Sequence, residues 1–218
     1  MLQVNHNKDE YSVAGKSKRI LVVEPSRINW IGLQRLLGCT GNAELIFFRV
    51  SEITEAKQKI HEFKPDVILF TSLSCGIDYL LLLSFLSDVT SYHLNTHSVI
   101  WLPHDMEWMT QLLHAFGVTT VLIDPVNLYE ISQCLGDKPS SNAEKKVCLL
   151  GKQERVIALD FFRGKTATTI ANAAGKDVRT ISTQKKSIIK KLKIRTNEEF
   201  YLLAGKLIYL NKINRQEW

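Results

Sequence analysis

The 218-residue sequence lacks any apolar run approaching the roughly 20 residues that a membrane-spanning helix requires; the longest, Tyr79 to Leu83, stops far short. Residues Met1 to Arg19 are polar and hold no apolar stretch of the kind a secretory leader needs, so a cytoplasmic protein with no membrane partner is expected. Cysteine is scarce. Cys39, Cys75, Cys134 and Cys148 are widely spaced with no Cys-x-x-Cys pair, which argues against a zinc module or a disulfide framework and predicts reduced thiols. With only 11 Gly and 5 Pro, and 45% hydrophobic against 23% charged residues, collagen-like, low-complexity and disordered classes drop out as well.

Catalytic motifs are missing too. No Gly-x-Gly-x-x-Gly, Walker loop or Gly-x-Ser-x-Gly occurs. His93 and His97 stand four apart, but they fall just before a strand-like run and no third ligand accompanies them. Neither an enzyme nor a cofactor or metal site is expected.

What is present is an uneven charge. Residues 145–218 carry 17 Lys or Arg against 6 Asp or Glu, a balance of +11, whereas residues 1–144 carry 11 against 16, a balance of −5. A cationic segment of this kind favours polyanions, of which nucleic acid is the commonest inside a cell. Between the two lies GDKPSSNAEKKV, residues 136–147, which is polar and has no apolar period. The organisation expected is a loose tail over 1–18, a first domain over 19–136, a linker over 137–148 and a second domain over 149–218.

In the first domain, short runs rich in Val, Ile and Phe occur at Ile20 to Val23, Leu45 to Phe48, Val67 to Phe70, Val99 to Leu102 and Thr120 to Ile123. Buried parallel strands have this character. Helical spacings lie among them at Ile28, Ile31, Leu33, Leu36 and Leu37, at Ile53, Ala56 and Ile60, at Met109, Leu112, Leu113 and Phe116, and at Leu128, Ile131 and Leu135. Strand-then-helix alternation predicts an α/β fold, a doubly wound five-stranded parallel sheet whose site lies at the carboxyl ends of its strands.

The second domain reads as four helices punctuated by Gly164 and Gly175, with Thr166 and Asp177 placed to cap the two middle ones. That is the plan of an all-α helix-turn-helix domain. On its second helix, Val178, Ile181, Ile188, Ile189 and Leu192 mark a face for burial, and Arg179, Ser182, Thr183, Lys186 and Lys190 mark the opposite one. Cations and hydroxyls on one helix face suit phosphates and base edges in a major groove.

These residues also carry a resemblance. ILVVEPSRINWIGLQRLL and KPDVILF are similar to the first strand and helix and the third strand of bacterial response-regulator receiver domains. The stretch from Leu150 to Ala204 resembles the DNA-binding domain of the LuxR/NarL/FixJ regulators, through Glu154, Gly164, Ile170-Ala171, Thr180-Ile181, Lys191-Leu192 and Ile194. TISTQKKSIIKKLKI, residues 180–194, is most similar to the recognition helix of the Rcs capsule-synthesis regulators of enteric bacteria.

The resemblance implies roles that the residues only partly support. Receiver domains hold Mg²⁺ on an acidic pair, accept phosphate on an Asp and contact it with a hydroxyl residue and a Lys. The matching positions here are Glu24 and Pro25, then Thr71, Pro103 and Asp124, so four of the five are changed and a degenerate, phosphorylation-independent receiver is expected. In the DNA-binding domain the resemblance brings Ser182, Thr183 and Lys186 to bases and Thr180, Lys185 and Lys190 to the backbone, with Arg179 beside them. Two departures stand out: Gly151 replaces a capping Thr or Ser, and Lys193 replaces a helix-ending Gly.

For self-association the candidates are Trp108, Met109 and Leu112 in the first domain and Phe200, Leu203 and Leu207 in the last helix, residues whose helical spacing equally suits a core. The function implied is transcription regulation on double-stranded promoter DNA, with RNA polymerase as a further partner. The chain would act as a homodimer or as an auxiliary heterodimer with an Rcs-type regulator. The other reading left open is an interaction protein that titrates a related response regulator and binds little DNA itself.

Overall fold

A computed structural model describes residues 17–38, 45–71, 77–135 and 149–216. The first domain alternates β1 (Lys18–Val23), α1 (Arg27–Gly38), β2 (Leu45–Val50), α2 (Ile53–Phe63), β3 (Val67–Phe70), α3 (Tyr79–Tyr92), β4 (His97–Leu102), α4 (Glu107–Ala115), β5 (Thr120–Ile123) and α5 (Leu128–Leu135). All five strands are parallel, in the order β2-β1-β3-β4-β5. This is the doubly wound order whose switch point lies between β1 and β3. The five predicted runs each fall in a strand. Lys18, the last residue of the expected tail, already pairs with Leu45; the rest of the tail before residue 17 and the linker over 137–148 lie outside the described residues.

β3 reads Val-Ile-Leu-Phe and is buried at every position, because helices cover both faces of a parallel sheet. On one face, Ile20, Val22, Val67 and Leu69 meet Leu33 and Leu37 of α1 and Ile131 and Leu135 of α5. The other face turns Leu21, Val23, Ile68 and Phe70 toward α2, α3 and α4.

The periodic spacings do not single out α3. Its sequence, YLLLLSFLSDVTSY, is apolar nearly all round, and a helix of that kind is buried on more than one side. Asp78 caps it by accepting from the Leu80 and Leu81 amides.

The second domain supplies α6 (Lys152–Phe162), α7 (Ala167–Ala174), α8 (Val178–Lys191) and α9 (Asn197–Gln216). Thr166 and Asp177 cap α7 and α8 as predicted, accepting from the Thr169 and Arg179 amides. Gly175 ends α7 at φ 62°, a left-handed conformation that costs a glycine little and lets the chain turn into α8. Phe161, Phe162 and Phe200 stack edge-on and tilted at the centre. Val178 is a correction: it is 39% exposed, because the first residue of α8 precedes the part that packs on α6 and α7.

The second domain also explains α3. α6 and α9 pack on its outer side, so one apolar cluster runs from the sheet through α3 into the helical domain. Arg155 of α6 is 3% exposed, and its guanidinium donates to the Ser87 and Ser91 hydroxyls of α3 and to the Leu150 carbonyl. At the other end of α3, the Asn211 side chain of α9 accepts from the Tyr79 amide at 2.7 Å and donates to Asp78. The Leu150 amide donates to the Ala115 carbonyl at the end of α4.

Candidate nucleic-acid interface

The carboxyl ends of β1, β3, β4 and β5 bring the receiver-like positions to one edge of the sheet. Glu24, 1% exposed, follows β1 and accepts from the Thr71 hydroxyl at 2.5 Å and from the Ser26 amide at 2.6 Å. Arg49 donates to the carbonyls of Glu24 and Pro25, which fixes that turn. Across the sheet, Asp124 accepts from the Trp101 indole at 2.6 Å, and Pro103, directly after β4, has neither a hydroxyl nor an amide hydrogen to offer.

These residues do not fit a Mg²⁺ ion. A hard cation beside a phosphoryl group needs converging carboxylates, and here the one carboxylate at the β1–β3 switch point is already held by Thr71 and Ser26. Residues 72–76 lie outside the described residues, but their sequence, Ser-Leu-Ser-Cys-Gly, contains no carboxylate. Asp66 and Asp78 are engaged elsewhere, with Arg19 and Asn211. Among the described residues no cluster of three His, Cys, Asp or Glu side chains could hold a metal. The His93 ring packs instead on His61 at 5.1 Å, and burial together with that neighbour lowers its pKa.

The recognition-like helix α8 is built from its buried side outward. Ile181 and Ile188 are fully buried and Leu192 is 5% exposed, which fixes the helix roll. That roll leaves Arg179, Thr180, Ser182, Thr183, Lys186 and Lys190 exposed on the other side. Thr183 donates to the Arg179 carbonyl one turn earlier, which sets its rotamer. Lys176, in the turn before α8, is a further exposed cation that helix patterning does not single out because it belongs to neither helix.

Lys185 differs from the other expected DNA contacts. Its ammonium donates to the Tyr201 hydroxyl at 2.9 Å and sits 4.0 to 5.4 Å from the ring centroids of Tyr201, Phe161 and Phe200. Such a cation–π seat is a structural use of the charge, tying α8 to α9. Lys191 is engaged as well, at 2.6 Å from Glu154.

Glu154 links the first of the two sequence departures, Gly151, to the recognition-like helix. Its carboxylate accepts from the Gly151 amide, the Ser187 hydroxyl and Lys191. Burial pushes its pKa up, and these bonds and the Lys191 charge outweigh that and hold it below the usual carboxylate range. Gly151 has no side chain to cap α6, yet the reciprocal bond from Glu154 to its amide survives. Lys193 takes the left-handed conformation, φ 55°, that a glycine would occupy more easily.

The side chains expected at a dimer contact are mostly used inside the chain. Met109, Leu112, Phe200 and Leu207 are at most 1% exposed and Leu203 is 8% exposed. They fill the core that joins the two domains, so none presents an apolar group to a second molecule. Trp108 is half-buried, lies under Lys206 and lines a cleft of about 220 Å³ between α4 and the α8–α9 turn. Among the described side chains of α9 the exposed apolar groups are instead Tyr201, Leu202, Ile208 and Tyr209.

Neither a family model nor a curated protein matches the sequence. Solved structures align with it at low identity. The response regulator RcsB of Salmonella typhimurium is 15% identical over 85% of this chain and 98% of that one, with a TM-score of 0.46. RcsB of Salmonella enterica serovar Typhimurium bound to the rprA promoter is 13% identical over 87% and 98%, also at 0.46. A receiver domain assigned to a LuxO repressor of Vibrio parahaemolyticus is 20% identical over 54% of this chain and 85% of its own, at 0.46.

Proposed function

We propose that this chain is a DNA-binding transcription regulator whose receiver-like domain works without phosphorylation. The observation that carries the reading is the open face of α8, where Arg179, Thr180, Ser182, Thr183, Lys186 and Lys190 all face solvent in a domain of net positive charge. The first domain does not cover that face, since it packs on α6 and α9 through α3. Arg179 and Lys190 would neutralise phosphates with Thr180 beside them, while Ser182 and Thr183 would reach base edges and Lys186 would bring its charge to a base edge between the phosphates. Lys185 acts indirectly, as a positioning residue that keeps α8 against α9.

The site at the strand ends supports the phosphorylation-independent half of the reading, because Thr71 in place of an Asp occupies the Glu24 carboxylate instead of offering a second one. A single reading head makes few base contacts, so promoter binding calls for a dimer. With Phe200, Leu203 and Leu207 inside, the α9 contact would use Tyr201 and Tyr209, which flank Gly205 one turn away on either side. The partner is a second copy or a related Rcs-type regulator, and RNA polymerase is the downstream partner. The retained Glu154–Gly151 bond and the completed turn at Lys193 favour DNA reading over titration of a relative, because neither departure disturbs α6 or α8.

The test is binding of the purified chain to duplex DNA at rising salt. Log affinity is expected to fall linearly with log salt, by about 0.9 per neutralised phosphate. Lys186→Ala and Lys190→Ala should each lower that slope by about 1. No duplex binding at low salt overturns the reading.

A further inference from the structure

The two domains touch along α3, and beside that contact a cleft opens between α4 and the α8–α9 turn. It holds about 220 Å³ and is lined from both domains. Leu112 of α4 and Leu203 of α9, both buried, give it an apolar floor, and the half-buried Trp108 indole gives it an aromatic wall.

Two exposed lysines line the same space. Lys206 of α9 holds its ammonium 5.4 Å from the Trp108 ring centroid, and Lys193 stands in the α8–α9 turn. Neither forms an ion pair among the described residues. Glu199 is the one acidic residue of the lining, and its carboxylate is already used: it accepts from the Arg195 amide at 2.9 Å, at the start of α9, where negative charge is favoured. Two lysines against one glutamate leave the cleft a single positive charge.

Lys193 sits there against local preference. Its φ of 55° lies in the left-handed region, which residues with a side chain seldom adopt. The turn itself asks nothing of a lysine, since the bond made there runs from the Lys193 amide to the Lys190 carbonyl, which a glycine would form as well. What the side chain adds is a cation at the cleft.

We infer that this cleft is a binding site for a small aromatic monocarboxylate. A flat ring suits the apolar floor and packs on an indole by offset stacking or edge contact. One carboxylate matches the one uncompensated charge, and its hydrogen bonds to lysine are of the strong, charge-assisted kind. Size sets the upper limit. The cleft falls below the roughly 300–1,000 Å³ of drug-sized sites, so one ring or two fused rings with one acid group fill it, whereas a nucleotide brings too much volume and charge. The occupant touches both domains at once, and by mass action it stabilises the folded chain in which the cleft is formed. The site stands apart from the DNA-binding reading, because none of its residues belongs to the open face of α8.

Calorimetric titration of the full chain with 2-naphthoate tests it, with 2-naphthamide and acetate as the uncharged and the ringless controls. Saturable one-to-one binding of 2-naphthoate is expected, at least tenfold tighter than either control, with a melting temperature that rises as the probe is added. Lys206→Met and Trp108→Leu should each weaken binding several-fold, and the melting temperature of each variant shows that it has folded. Lys193→Gly separates the turn from the site: relief of the left-handed backbone should raise the melting temperature of the free protein while affinity for 2-naphthoate falls several-fold. No saturable binding of 2-naphthoate, equal affinity for 2-naphthamide, or an affinity indifferent to both lysine variants overturns the assignment.

Discussion

The Arg155 guanidinium of α6 donates to the Ser91 hydroxyl of α3 at 2.9 Å, joining residues 64 positions apart in sequence across the two domains. Among the described residues no carboxylate accompanies it; its partners are two serine hydroxyls and a carbonyl. Burial lowers the pKa of the group. A guanidinium kept this dry needs partners in place, and here each of its three nitrogens has one, which makes the contact between the domains specific.

Arg155→Ala removes three donors and leaves the Leu150 carbonyl and two hydroxyls without them. A loss of about 2 to 4 kcal/mol in urea unfolding is expected. In thermal melts the single transition should broaden or split as the domains uncouple. An unchanged midpoint with one sharp transition would show that the contact does not couple them.

The Thr71–Glu24 bond yields a second prediction. Thr71→Val leaves a buried carboxylate short of one donor and should cost about 1 to 3 kcal/mol. Acetyl phosphate or beryllofluoride with Mg²⁺ should change neither the melting temperature nor the oligomeric state of the wild type. A Mg²⁺-dependent shift in either would show that phosphoryl chemistry persists.

Lys185 and Lys186 are neighbours with opposite expected behaviour. Lys185→Ala breaks the seat on Tyr201 and Phe200 and should destabilise the fold by about 1 kcal/mol or more while leaving the salt slope of DNA binding nearly unchanged. Lys186→Ala should leave stability within about 0.5 kcal/mol and lower the slope by about 1. The reverse pattern would mean that the cation–π seat is not maintained.

Glu154 sets a pH dependence. Its folded pKa is depressed, so the stability it contributes is present above the unfolded value of about 4.3 and is lost as pH falls through the folded value. Glu154→Gln should therefore be about 1 to 2 kcal/mol less stable than the wild type at pH 7, and the gap should narrow on acidification below about pH 4.3. A gap independent of pH would assign the effect to shape alone.

Much of this molecule is legible in its sequence, for identifiable reasons. The parallel strands announce themselves because burial on both faces leaves only apolar residues, as in Val67 to Phe70. The caps at Thr166 and Asp177 are legible because one side chain satisfies a local amide. What the sequence conceals is where helices meet. α3 has no polar face to give it a helical period, since the second domain covers the side that would otherwise be polar. For the same reason the sequence leaves Met109, Leu112, Phe200, Leu203 and Leu207 open between core and dimer contact, and they prove to be interior. The resemblance, not the helix period, puts Lys185 near the DNA backbone, and only the arrival of Tyr201 from α9 turns it inward.

The central claim, that the open face of α8 reads promoters, is tested most directly by genome-wide chromatin occupancy of the tagged chain beside its Lys186→Ala variant, in hosts with and without an Rcs-type relative. The account predicts discrete promoter peaks for the wild type that are lost or much reduced in the variant. Peaks that survive removal of the relative identify a homodimer, and peaks that vanish identify a heterodimer. An absence of peaks in every strain, or peaks indifferent to Lys186, would contradict the account.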